Sequence, residues 1–305
     1  MASRPRRFEA YRPVLITVRC LLRLDLLAFE GMRELLLQKL ATYAGRCGVD
    51  VLAWAIQSNH AHFIVRQDQD AHDPDRRTGI AAFMRNVMSA VAVHGHARGT
   101  LQGRFLERTY RSHSIGTMAD LLRFLAYVHG QRAHHRLGPE AVDAAPSSSA
   151  GPLERGIPDG VVELVPGESV FTGATLEERC AQFQALIARV AEIAVADERR
   201  VSALDLPGTT LTPRQLKAMR RDAWRQAVAR ASAELGVVAT DGDARSLRWD
   251  RLSDLVGRDA VAGARERLMS VVWVRNEPDL RRPPKAGSVI EIRVRYERPD
   301  RAAGA

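Results

Sequence analysis

Cysteine is scarce in this chain of 305 residues: Cys20, Cys47 and Cys180 lie far apart and form no C-x-x-C pair. That spacing supports neither a zinc ribbon nor a disulfide framework, and the three are expected as small buried hydrophobes. No apolar run approaches the ~20 residues of a membrane-spanning helix. The opening MASRPRRFEAYRP also lacks the apolar core of a signal peptide, so a cytoplasmic protein with no membrane partner is expected. Lysine is nearly missing, with only Lys39, Lys217 and Lys285. Codon usage explains that as readily as a need for bidentate phosphate contacts, so it decides little. No internal repeat is evident.

What is present is unevenly spread. The length allows two domains with separate cores, and 46% hydrophobic content suits a folded globular chain. Residues 1–140 hold 20 Lys+Arg against 12 Asp+Glu, a net of +8 out of the whole chain's +9. All 9 histidines fall there too, the last being His135. Metal-ligand capacity and affinity for polyanions are thus concentrated in one half, which points to a site working on phosphate.

Periodicity orders that half. Pro13 to Cys20 is β-branched and apolar, a first strand. Gly31 to Cys47 carries Leu35, Leu36, Leu40 and Tyr43 at helical spacing, with Gly48 just past its end. Val49 to Ile56 and Ala61 to Arg66 are strands joined through Ser58-Asn59. Ile80 to His94 is a helix, and so is Gly116 to Gln131, which carries Met118, Leu121, Leu122, Leu125 and Val128 on its apolar face. Between those two helices, Gly99 to Arg111 alternates arginine with aromatic residues, fitting an edge strand or a loop along a nucleic-acid backbone, though a solvated basic strand fits as well. The order predicts an α+β fold of ferredoxin-like type, an antiparallel sheet with helices on one side.

Two features in this half bear on chemistry. In Ser58-Asn59-His60-Ala61-His62 the two imidazoles are two apart on a strand, so they share a face and can converge on one metal ion. Taken alone, such a pair fits a structural role equally well. In the last helix Tyr127 and Gln131 are one turn apart and adjacent, away from the apolar face. Beyond it His129, Arg132, His134, His135 and Arg136 form a basic cluster that suits phosphate contact or a solvated helix end.

NHAH in a strand, LQGRF before the last helix and LLRFLAYVHGQRA on it together resemble the HUH single-tyrosine transposases, in particular the REP-associated tyrosine transposase branch, over about residues 10–138. The resemblance implies a metal-dependent, single-stranded DNA endonuclease and strand transferase. By position it makes His60, His62 and Gln131 the ligands of a divalent metal and Tyr127 the nucleophile. Separately from it, Asn59, Arg104, Arg108, Arg111, Arg132 and Arg136 are candidate DNA contacts. Relatives in that branch read like Tyr-Ile-His-x-Asn-Pro, where this chain has Tyr127-Val128-His129-Gly130-Gln131-Arg132. Gln131 keeps an amide oxygen, while Gly130 lowers helix propensity beside the site.

The chemistry is coherent on its own terms. A phenol with a pKa of about 10 is a poor nucleophile at neutral pH, and a divalent ion can polarise a phosphodiester and offset its charge. Imidazole and oxygen ligands suit Mg²⁺ or Mn²⁺, with Zn²⁺ an alternative. Attack by Tyr127 leaves a phosphotyrosine, at the DNA 5′ end by resemblance, which a 3′ hydroxyl can reverse. The expected partner is single-stranded or hairpin DNA. A homodimer is compatible with the sequence, as is a structured-DNA or RNA binding protein with little turnover.

Residues 141–170 have linker composition around APSSSAGP. From 171 to 305 a mainly helical domain is expected, for DNA binding or oligomerisation. Thr175-Leu176-Glu177-Glu178 is a capping box opening a helix to about Ala203. Thr212-Pro213-Arg214-Gln215 opens another that Gly236 ends, with a basic surface of Arg214, Lys217, Arg220, Arg221 and Arg225. A third helix is predicted over Arg251 to Trp273 and a strand over Val289 to Tyr296.

Overall fold

The computed structural model describes residues 7–28, 31–68, 78–97, 105–107, 110–131, 164–166, 171, 173–203, 211–237, 242–246, 249–251, 273–275 and 292–294. β1 (Val14–Arg19), α1 (Met32–Cys47), β2 (Val49–Ile56), β3 (His60–Gln67), α2 (Gly79–Ala97), β4 (Arg111–Ser114) and α3 (Met118–His129) follow the predicted order. The four strands form one antiparallel sheet in the order β2-β3-β1-β4. β1 is therefore central, with β3 on one side and β4 on the other.

Local chemistry accounts for the boundaries. Gly48 closes α1 in the left-handed region, φ 61°, where a side chain would be strained. The Thr117 side chain accepts the Asp120 amide and caps α3. Further along, α4 (Leu176–Ala203) begins with the predicted box, Thr175 and Glu178 exchanging bonds of 3.1 and 3.0 Å. α5 (Pro213–Leu235) has its box between Thr212 and Gln215 and ends at Gly236, φ 64°. All three cysteines are buried and free, as expected.

The sheet departs from the prediction in being covered on both faces. α1 and α2 pack on one face, where Val14, Ile16, Val18, Trp54, Phe63 and Val65 are buried with Leu36, Leu40 and Phe83. α3, α4 and α5 gather on the other, joining Leu15, Ala53, Ala55 and Ile64 to Leu121, Leu125, Leu186 and Trp224 in one core. The reason lies in β2, an almost unbroken apolar run buried at every position but Asp50, the pattern of a strand covered on both sides. A bulge between Val51 and Ala53 shifts its phase, so Leu52 and Ala53 both enter the α3-side core. α4 and α5, expected in a domain of their own, thus share a core with α3.

Three further differences concern segments. Of Gly99–Arg111, read as an edge strand or a loop, only 105–107, 110 and 111 are described; a strand begins at its end, Arg111–Ser114, where all four residues are exposed and apolar periodicity is absent. Leu106 makes an isolated antiparallel bridge to Cys20. Within the predicted linker, β5 (Leu164–Pro166) pairs with β6 (Trp249–Arg251). Arg251 and Trp273, the ends of the predicted third helix, lie in β6 and in β7 (Trp273–Arg275), and its interior lies outside the described residues. β7 pairs with β8 (Ile292–Val294), inside the predicted last strand.

No helix among the described residues is long and apolar enough to cross a membrane.

Candidate active site

The sheet register builds the site. Thr17 of β1 is opposite His62 of β3, and Arg19 is opposite His60. Thr17 is also opposite Arg111 of β4, and Ala55 of β2 is opposite His62. Directly opposed residues share a face, so Arg111, Thr17, His62 and Ala55 form one row and Arg19 and His60 stand in the next. This is the face covered by α3.

Each imidazole is oriented through Nδ1. His62 Nδ1 lies 3.0 Å from Thr17 Oγ1, and His60 Nδ1 lies 2.7 Å from Asn59 Oδ1. Asn59 is itself placed by Asp25, whose Oδ1 accepts from Asn59 Nδ2 at 3.3 Å and from the Ser58 hydroxyl at 2.6 Å. With its Nδ2 committed to a carboxylate, Asn59 presents an acceptor to His60, which places the His60 proton on Nδ1 and a lone pair on Nε2. Such a chain of oxygens behind imidazoles is the arrangement that fixes the tautomer of a metal ligand. The two rings are 5.0 Å apart between centroids, edge to face.

Above them α3 brings Tyr127, its ring 5.2 Å from that of His62 and near perpendicular. Burial pushes the Tyr127 hydroxyl up from its ordinary value; the Gln131 side chain and Arg19 pull the other way and Glu198 adds to the rise. The phenol is therefore protonated at neutral pH. Gln131 is buried, and its Nε2 donates to the Tyr127 carbonyl at 2.7 Å. Its Oε1 is buried with no hydrogen-bond partner among the described residues, an arrangement that is costly unless a cation or water satisfies the oxygen.

The donor set fits a hard or borderline divalent ion in a limited sense. Among the described residues no three His, Cys, Asp or Glu side chains cluster as a metal site. Among the described residues, two imidazoles and the Gln131 amide oxygen are the donors this region could offer, which would leave positions for water or substrate oxygen.

Several contributors were not picked out from the sequence. Thr17 and Arg19 carry a signal that could have found them, since polar residues at alternate positions of the apolar Pro13–Cys20 strand mark its second face. Asp25 carries none. Trp224 of α5 packs edge to face on Tyr127 at 5.6 Å, and its indole N–H donates to Glu198 of α4 at 2.8 Å. Gly130 admits this cover: a Cβ there would lie 2.9 Å from the Ala191 Cβ of α4 and 2.8 Å from the Ala126 carbonyl oxygen. The unusual glycine beside the tyrosine is thus a point of helix contact.

Of the expected DNA contacts, Asn59 is hydrogen-bonded to His60. Arg111 is exposed on the histidine face, while Arg104, Arg108, Arg132 and Arg136, with His134 and His135, lie outside the described residues. His129 belongs to no solvated or phosphate-facing cluster: it is buried 5.8 Å from the Phe183 ring, and desolvation holds its pKa down at about 4. The basic surface of α5 is partly neutralised, Arg225 pairing with Asp120 at 3.5 Å and with Asp222 at 3.8 Å.

No family model matches the chain, and no curated protein matches it. Among solved structures the chain is similar to a REP-associated tyrosine transposase bound to a REP hairpin, at 18% identity and a TM-score of 0.40. The match spans 51% of this chain and 87% of that one. At that level the likeness does not carry function, which rests on the residues themselves.

Proposed function

We propose that this protein is a metal-dependent single-stranded DNA endonuclease and strand transferase, with Tyr127 as nucleophile. The observation that carries the reading is the Tyr127 ring 5.2 Å from His62, over a sheet face where His60 stands beside it. A tyrosine and two backed imidazoles with a buried amide one helical turn on are the parts such chemistry needs.

His60, His62 and Gln131 would hold Mg²⁺ or Mn²⁺, which when bound polarises a phosphodiester and offsets its charge. The Tyr127 oxygen attacks phosphorus, its proton passing to solvent, and the P–O3′ bond breaks. The departing 3′ oxygen takes up a proton, and the 5′ phosphate stays on the tyrosine. The ester linkage is retained, so a 3′ hydroxyl can later reverse the step and join strands. Because burial favours the neutral phenol, Gln131 and Arg19 matter in easing its deprotonation.

The first substrate to offer is labelled single-stranded DNA carrying a hairpin, the class the sequence resemblance implies, in Mn²⁺. A covalent adduct that survives denaturation is expected from wild type and not from Tyr127→Phe. An equal yield from both proteins overturns the assignment. A second reading, binding of structured nucleic acid with little turnover, is favoured by the Trp224 cover on Tyr127; binding unchanged in Tyr127→Phe and His60→Ala, with no adduct from wild type, supports it.

A further inference from the structure

Some arginines on the described surface are tied to acids, as Arg12 is to Glu9 and Arg245 to Asp243. At one end of the histidine face Arg66 of β3 is held by Asp50 of β2 at 3.0 Å. At the other end, Arg19 and Arg111 make no ion pair and no side-chain hydrogen bond among the described residues. Arg19 is opposite His60 and Arg111 is opposite Thr17, so both guanidinium groups project from the face that carries His60 and His62. They also line one cleft at the edge of the sheet with Thr17, Glu107 and Tyr110, whose remaining walls, Val18, Met88 and Leu106, belong to or pack on the core of the α1–α2 face. Glu107 is joined to Arg19 through the backbone, its N–H donating to the Arg19 carbonyl at 2.8 Å, yet its carboxylate forms no ion pair with the guanidinium.

Two cations held a strand apart with no counterion among the described residues suit a ligand that brings its own negative charge. Arg19 is half-buried and Arg111 exposed, so the first faces the site and the second the approach to it. The spacing of neighbouring strands, roughly 4.8 Å, lets the two forks bind one phosphate or two successive ones of an extended strand, since arginine matches phosphate geometry bidentately. Arg19 stands opposite His60, beside the row in which the His62 ring meets that of Tyr127, which puts its charge on the part of the face where an attacking phenol and a phosphodiester would meet.

The geometry points to a phosphodiester clamp: Arg19 contacts the phosphate attacked by Tyr127, and Arg111 contacts the backbone leading to it. This rests on the nuclease reading for the identity of the phosphate, though not for the existence of the anion site. Arg19 donates to non-bridging oxygens as negative charge grows on them, so it acts on the rate as well as on binding.

The test compares Arg19→Gln, Arg19→Lys, Arg111→Gln and, as control, Arg46→Gln on α1 across the sheet. Binding of hairpin-bearing single-stranded DNA is measured against salt concentration, and adduct formation at saturating DNA in Mn²⁺. Each clamp arginine is expected to lower the salt slope by about 0.7, one phosphate's worth on a single strand. Arg19→Gln should also slow adduct formation by about 100-fold, with partial recovery in Arg19→Lys, while Arg111→Gln weakens binding with little change in the saturated rate. Arg46→Gln should match wild type. Arg19→Gln behaving like Arg46→Gln in both measurements overturns the clamp and leaves the nuclease reading standing. If wild type forms no adduct, the nuclease reading falls, and the salt slopes alone decide the clamp: an unchanged slope in Arg19→Gln overturns it.

Discussion

On one face of the sheet Val14, Ile16, Val18, Phe63 and Val65 close against α1 and α2; on the other, the same two strands turn Thr17, Arg19, His60 and His62 toward α3. Successive residues of one strand therefore serve opposite ends. The first face is a dry core whose worth is burial and packing. The second face mixes core, through Leu15 and Ile64, with a polar end where side chains are backed by hydrogen bonds. A two-residue period lets six residues of β1 encode both without compromise. Rigidity on the dry side is what holds the polar side in register.

Substitutions that separate the two faces test this contrast most strongly. Phe63 is fully buried on the dry face, and Phe63→Ala is expected to cost about 3–5 kcal/mol by leaving a cavity, read as a lowered denaturant midpoint. On the neighbouring position His62→Ala removes one hydrogen bond from Thr17 and should cost about 1 kcal/mol, yet end adduct formation. Equal losses of stability at the two positions would break the contrast.

A second test lies in the core that α3 shares with α4. His129 is buried there, with its pKa pushed down from 6.5 to about 4. A depressed folded-state value means that the unfolded chain takes up the proton first. The stability held by neutral His129 is complete above pH 6.5 and is lost as pH falls toward 4, by about 3 kcal/mol over that window. Urea midpoints measured between pH 7 and 4.5 should fall less steeply in His129→Leu than in wild type. If the two slopes coincide, His129 is not the source of the acid sensitivity.

The smallest expected effect sharpens the role of the cover. Gly130→Ala places a Cβ 2.9 Å from that of Ala191, an overpacking expected to cost about 1–3 kcal/mol. Because the strain falls between α3 and α4, the thermal midpoint should drop, and the Trp224 contribution to fluorescence, taken as the difference from Trp224→Phe, should change. A variant as stable as wild type would mean that the helices meet less closely than described.

Much of this was legible in the sequence where the signal is local. The box at Thr175 needs four residues and forms where the sequence predicts it; α5 opens at Thr212 as predicted, and there Gln215 completes a box that was not predicted. The strand period put His60 and His62 on one face, and helical spacing made Tyr127 and Gln131 neighbours. What was not legible depends on distant partners. The second cover of the sheet was hidden because the alternation of β2 is broken by its bulge, so the run reads simply as apolar. β4 escaped because a short, fully exposed edge strand has no apolar rhythm. Trp224 reaches the site from a helix that nothing near Tyr127 in sequence announces, and Asp25 works through two intervening groups.

The cover formed by α4 and α5 has a consequence for the order in which the chain is made. α3 leaves the ribosome with Leu121, Leu122 and Leu125 in place, but Trp224 and Val228, which bury with them, are about a hundred residues away. At translation rates of ~5–20 residues per second, that delay is on the order of ten seconds. During it the tyrosine and the part of α3 that packs on α5 are uncovered together. The nascent protein is thus open at its candidate site before it is closed, and its early life exposes an apolar surface that the finished fold conceals.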